Sequence, residues 1–155
     1  MTTLKPGDAA PDFKGVTTDG TPVALGDYRG RKLVLYFYPR DDTPGCTKQA
    51  CSLRDGSAQL AAKGAAVLGV STQDARSHQA FTRKYGLNFP LLADTDGAVG
   101  RAYGTLGGSG IVDRIKTAAG LANRVTYVID ERGRISHVID KPDVANHAAE
   151  VLALL

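Results

Sequence analysis

The residues best suited to chemistry lie in one stretch, Tyr38-Pro39-Arg40-Asp41-Asp42-Thr43-Pro44-Gly45-Cys46-Thr47-Lys48-Gln49-Ala50-Cys51, which holds both cysteines of the chain. Thr43 followed by Pro44 is a good N-cap and first-turn pair, so a helix is expected to open there. Counting on, Cys46 is the third helical residue. In a first turn the unpaired backbone N–H groups and the positive end of the helix dipole favour an anion, which stabilises a thiolate. Lys48 and Arg40 add to this, while Asp41 and Asp42 oppose it if they point inward. The functional reading is a reactive thiol. The alternative, from the residues alone, is an inert cysteine packed as a small hydrophobe.

Cys51 lies five positions further on. If both cysteines are helical, they stand about 7.5 Å apart along the axis and about 140° apart around it. Their Cα atoms are then about 8.6 Å apart, beyond the roughly 6.8 Å limit for a disulfide. An intact helix therefore cannot hold the bond; if the two pair, the first turns must unwind, and Gly45 and the terminal position ease that. The spacing also differs from the Cys-x-x-Cys of thioredoxin-type exchange. Two thiols without the usual paired spacing, with His78, His137 and His147 far off in sequence, make a poor zinc site, and each histidine is read as structural. No metal and no organic cofactor is expected.

The elements that position this stretch follow from periodicity. Lys32 to Tyr38 is a nearly continuous apolar run closed by Pro39, the pattern of a strand buried on both faces. Ala65 to Val70 and Arg124 to Ile129 repeat it. Asp130-Glu131-Arg132-Gly133 then turns the chain into Arg134 to Ile139, a hairpin. Helices are expected from Pro44 to about Lys63, from Ala75 to Tyr85, and over the final stretch, where Val144, Ala148, Val151, Leu152 and Leu155 form a stripe and Pro142 suits the first turn. Pro6 to Leu25 reads as a short edge hairpin turning at Asp19-Gly20. Gly104 to Ala122 is Gly-rich and reads as a long loop with one helical turn near Asp113 to Lys116. The sum is an α/β domain with a central mixed β-sheet flanked by helices and an N-terminal β-hairpin.

Composition narrows the function. The chain has 155 residues, 43% hydrophobic and 23% charged, with no repeat, low-complexity tract or linker, which fits a single domain over 1–155. Nineteen Lys and Arg against sixteen Asp and Glu, both scattered, form no basic arm, so nucleic-acid binding is not expected. No run approaches the ~18 apolar residues of a membrane span. The opening MTTLKPGDAAPDF lacks an apolar signal-peptide core, so the expected home is cytoplasmic, where thiol chemistry is transient and catalytic.

The Pro39-x-x-x-Thr43-x-x-Cys46 pattern resembles the active-site signature of peroxiredoxins, and the longer string resembles their bacterioferritin-comigratory, or Q-type, branch. Lys5 to Phe13, Leu68-Gly-Val-Ser71, Phe89 to Asp94 and Arg124 to Asp130 resemble further blocks of that family. The resemblance implies a thioredoxin-like fold and a thiol peroxidase. Cys46 is then the peroxidatic cysteine, attacking a hydroperoxide and becoming a sulfenic acid. Thr43 hydrogen-bonds thiolate and peroxide, Pro39 walls the pocket, and Arg124 reaches the site from a distant strand. Gln49 matches a polar position of the branch and is read first as a helix residue. Cys51 is the resolving cysteine, closing an intramolecular disulfide that a dithiol donor, thioredoxin or a similar protein, reopens. Such a pair needs no partner subunit, so a monomer is expected. Gly104 to Ala122 lacks the aromatic-containing pattern of the branch. Two other readings are a thiol–disulfide exchange enzyme, disfavoured by the missing Cys-x-x-Cys, and a non-enzymatic redox switch, separable by turnover with a dithiol.

Overall fold

A computed structural model describes residues 3–107 and 110–155. A five-stranded sheet carries the architecture, built from β3 (Lys32–Phe37), β4 (Ala65–Ser71), β5 (Leu91–Ala93), β6 (Val125–Ile129) and β7 (Ile135–Ile139) in the order β5-β4-β3-β6-β7. Strands β3, β4 and β5 run parallel, while β6 is antiparallel to β3 and to β7. The sheet is mixed, as the sequence indicates. β1 (Lys14–Val16) and β2 (Pro22–Ala24) form the N-terminal antiparallel hairpin, shorter than the Pro6 to Leu25 span and tied to β5 by a bridge between Thr17 and Leu92.

β3 is the central strand, and its side chains alternate between two cores. Leu33, Leu35 and Phe37 pack with Phe13, Tyr103 and Tyr127 on one face. Val34 and Tyr36, with Tyr38 just beyond, pack with Cys46, Ala50, Leu53 and Phe81 on the other. Each such side chain, fully buried, contributes about 1.5–3 kcal/mol. This is why the run is apolar at every position rather than at alternate ones.

The helices are α1 (Pro44–Asp55), α2 (Ser57–Ala62), α3 (Ala75–Tyr85), α4 (Ala98–Ala102), α5 (Ile111–Ala118) and α6 (His147–Leu152). The single helix expected from Pro44 to Lys63 is in fact two, separated at Gly56. A Cβ on Gly56 would lie 2.5 Å from Cβ of Ala148, so the junction owes its glycine to the close approach of α6. α3 matches its expected limits, with Asp74 accepting from the Ser77 N–H at its start and Gly86 in the left-handed region at its end.

Two expectations are corrected. The helical turn expected near Asp113 to Lys116 within Gly104 to Ala122 is longer: Ile111–Ala118 is a two-turn helix, started after Gly110 and supported by Thr117 Oγ1 donating to the Asp113 carbonyl. Glycines flank it rather than interrupt it, and its apolar residues Ile111, Val112 and Ile115 stand exposed. Gly108 and Ser109, in the same segment, lie outside the described residues. At the C-terminus, Pro142 does not open the last helix. A 3-10 turn, Val144–Asn146, intervenes, and α6 begins at His147. Strand β5 and helix α4 fall in segments to which periodicity assigned no element.

Candidate active site

The loop 38–43 leaves the buried end of β3 and delivers the chain into α1. Thr43 occupies the N-cap position with extended backbone, Pro44 is the first helical residue, and the Thr47 N–H donates to the Thr43 carbonyl at 2.8 Å. Cys46 is therefore in the first turn, with its side chain turned into the core at 1% exposure. Cys51 lies in the same helix, half-buried, and both cysteines are free thiols.

Arg124 stands at the entry to β6, beside β3, and reaches across to the start of α1. Its Nη2 donates to Cys46 Sγ at 3.2 Å and its Nη1 donates to Gln49 Oε1 at 2.7 Å. One planar guanidinium thus spans two groups one helical turn apart, a geometry that a point-like ammonium does not reproduce. Gly45 leaves the room: a Cβ there would stand 3.1 Å from Arg124 Nη2. Arg40 and Lys48 are exposed, and the cation at hydrogen-bond distance from the sulfur is Arg124.

Gln49 is fully buried, not an ordinary surface residue of the helix. Its Oε1 is committed to Arg124, while its Nε2 and the phenolic oxygen of Tyr36 are buried without hydrogen-bond partners among the described residues. Burial, followed by the neighbouring Cys46, holds the Tyr36 phenol well above its ordinary pKa, so it stays protonated as a donor. Both groups belong to the buried side of the sheet that holds Cys46.

Thr43 holds the cap position without a side-chain capping bond, and its Oγ1 donates to the Arg40 carbonyl at 3.0 Å. The hydroxyl proton is therefore directed at backbone rather than at the sulfur. Pro39 is half-buried at the end of β3, and its carbonyl accepts from Gln73 Nε2 at 3.4 Å.

Asp41 and Asp42 both pair with side chains of α3. Asp41 accepts from Tyr38 Oη at 2.6 Å, Ser77 Oγ at 2.8 Å and His78 Nδ1 at 2.6 Å. Burial works to raise its pKa, but the hydrogen bonds outweigh this, with His78 foremost, and the carboxyl is held below its ordinary value. Asp42, with φ of 60°, pairs with Lys84 Nζ at 2.8 Å and Tyr85 Oη at 2.6 Å. A short acidic residue tolerates that left-handed backbone better than most. Spacing gave no hint of the partners on α3, since His78 lies 37 residues from Asp41.

His147 is buried against β6 on the face that carries Thr126, two residues beyond Arg124. Burial chiefly lowers its pKa, so at neutral pH its Nδ1–H donates to Glu150 Oε1 at 2.8 Å and its Nε2 accepts from Thr126 Oγ1 at 2.9 Å. The 2.8 Å contact is thus a hydrogen bond from a neutral ring rather than an ion pair. His78 and His147 are both structural in position, and no cluster of His, Cys, Asp and Glu suited to a metal occurs among the described residues. An open depression of about 440 Å³ lies against Arg124, Val125 and Lys116; larger ones, about 630 and 830 Å³, border the N-terminal hairpin and hold neither cysteine.

Residues 6–138 match the model of the AhpC/TSA family. The chain belongs to that family. Its relatives identify it as a peroxiredoxin, a peroxidase of the oxidoreductase class. The putative peroxiredoxin bcp of Coxiella burnetii is 44% identical over 155 residues, covering 98% of this chain and 99% of that protein. Among solved structures, peroxidoxin BcpB of Mycobacterium tuberculosis superposes with a TM-score of 0.84 at 33% identity, over 97% of this chain and 96% of the other. A bacterioferritin comigratory protein of Xanthomonas campestris, described for its alkyl peroxide reduction activity, superposes with a TM-score of 0.82 at 30% identity, over 99% and 96%. This peroxiredoxin therefore has the thioredoxin-like fold of the family.

Proposed function

We propose that the chain, acting as one domain and as a monomer, reduces hydrogen peroxide and organic hydroperoxides through a two-cysteine cycle. The observation that carries the reading is the guanidinium of Arg124 on Cys46 Sγ at the first turn of α1. A thiolate there lies between a fixed cation and the free N–H groups of a helix start, both favouring negative charge. The thiolate attacks the terminal oxygen of ROOH, the O–O bond breaks, Cys46 becomes a sulfenic acid, and the alkoxide leaves and takes a proton as ROH. The charge that develops on the leaving oxygen falls within reach of donors already in place. Thr43 Oγ1, whose proton is directed to the Arg40 carbonyl, offers its lone pairs to the O–H of the peroxide. Pro39, lacking an N–H, limits water at the wall.

The sulfenic acid of Cys46 then condenses with the thiol of Cys51, releasing water and forming the disulfide. The first turns of α1 unwind for this step, since their helical separation exceeds the reach of the bond. An external dithiol, thioredoxin or a similar protein, reduces it. A reducing compartment such as the cytoplasm suits the cycle. The alkyl peroxide activity described for the Xanthomonas protein supports organic hydroperoxides as substrates.

The test is intact mass with peptide mapping after one equivalent of hydrogen peroxide. A monomer lighter by two hydrogens, with Cys46 joined to Cys51, is expected. Cys51→Ser should stop at an oxygen adduct on Cys46 and over-oxidise faster, and Cys46→Ser should consume no peroxide. Peroxide consumption by Cys46→Ser at the wild-type rate overturns the assignment of the nucleophile.

A further inference from the structure

Helix α3 grips α1 at both ends. Before α1, Asp41 is held by Ser77 and His78, and Asp42 by Lys84 and Tyr85. After Cys51, Arg54 Nη1 donates to the Tyr85 carbonyl at 2.6 Å. The strongest of these attachments is buried: the His78 side chain is 0% exposed and that of Asp41 is 4%. Nδ1 of His78 faces the Asp41 carboxylate and Nε2 faces the Leu92 carbonyl at 3.1 Å. Both partners are acceptors, so the ring meets them as a donor, and its bond to Asp41 is charge-assisted through the carboxylate. No step of the proposed cycle uses His78.

We propose that His78 is a positioning residue: through Asp41 it latches the loop before α1, keeps the first turn wound under Arg124, and so sets how readily Cys46 leaves its pocket for Cys51. The inference rests on the two-cysteine cycle for its meaning in catalysis, but the latch itself is a property of the reduced protein. Unwinding the first turn gives the loop freedom that the latch restricts. Removing it therefore favours the unwound state even where the sheet is unaffected. The step this accelerates is the condensation of the Cys46 sulfenic acid with the Cys51 thiol, which releases one water and competes with a second peroxide taking Cys46 to the sulfinic acid.

The experiment is hydrogen exchange on the reduced protein, without peroxide, followed in peptides covering residues 44–51 and, as reference, β3. His78→Leu, which removes the ring donor, should speed exchange in 44–51 by about tenfold or more, the scale of one lost charge-assisted hydrogen bond, with β3 unchanged within about twofold. His78→Asn places an amide N–H near the position of Nδ1 and should restore most of the protection. Tyr85→Phe removes only the exposed hydroxyl on Asp42 and should give a smaller increase, about two- to threefold, in the same peptides. Unchanged exchange in 44–51, or an equal rise in β3, overturns the latch. In a second arm, His78→Leu under excess peroxide should accumulate a smaller sulfinic fraction than wild type. If wild type forms no Cys46–Cys51 disulfide at all, the cycle fails while the exchange result still judges the latch.

Discussion

Replacing Arg124 by alanine tests the site most directly. The substitution removes the donor at 3.2 Å from Cys46 Sγ and the donor at 2.7 Å from Gln49 Oε1. A hydrogen bond to a charged group contributes about 1.5–3 kcal/mol, and the guanidinium is half-buried, so solvent screens it only partly. Taking about 2–3 kcal/mol as the loss of transition-state stabilisation, peroxide attack should slow by about 30- to 150-fold. Arg124→Lys keeps the charge but not the fork that meets Cys46 and Gln49 together, and should recover only part of the rate. The assay is single-turnover oxidation of the reduced enzyme by hydrogen peroxide, with the formation of the disulfide followed separately. Disulfide closure from preformed sulfenic acid should change little, because the role proposed for Arg124 is in the attack. A rate for Arg124→Ala within about threefold of wild type, in a protein of unchanged stability, would refute the assigned role.

Gly45→Ala adds a Cβ 3.1 Å from Arg124 Nη2, close enough to displace the end of a flexible side chain by a few tenths of an ångström. Peroxide attack should slow by about three- to tenfold, while the better helix propensity of alanine keeps stability within about 1 kcal/mol, which denaturant titration checks. His147 makes stability depend on pH. Its folded-state pKa lies below the ordinary 6.5, so its contribution is complete above that value and lost as pH falls through the folded pKa. The urea midpoint should therefore drop between pH 8 and pH 5, and His147→Gln should flatten that dependence.

Much of this arrangement is legible in the residues because it depends on local rules. The Thr43-Pro44 pair places Cys46 in a first turn, and the unbroken apolar run of β3 announces a strand covered on both faces. What escapes is whatever depends on long-range approach. Nothing near Gly56 tells a reader that α6 comes close enough to require glycine and divide the helix. The exposed apolar face of α5 breaks the usual link between amphipathicity and burial, so only one turn of this Gly-flanked helix is expected from the residues. Asp41 and Asp42 read as liabilities beside a thiolate until α3 supplies their partners. Arg124 was identifiable through its resemblance to a family block, whereas the burial of Gln49 and its bond to Arg124 required the fold.

The sequence separation of the Cys46–Arg124 contact has a consequence for biosynthesis. Arg124 is made 78 residues after Cys46. At roughly 5–20 residues per second, that is about 4–16 s of translation. Strand β6 pairs antiparallel with β3, so the guanidinium arrives only when the last third of the chain docks on a sheet begun long before. Until then the nascent thiol lacks the fixed cation beside it. Completion of the sheet thus precedes the Cys46–Arg124 contact, and a chain arrested before Arg124 carries a thiol without its guanidinium partner.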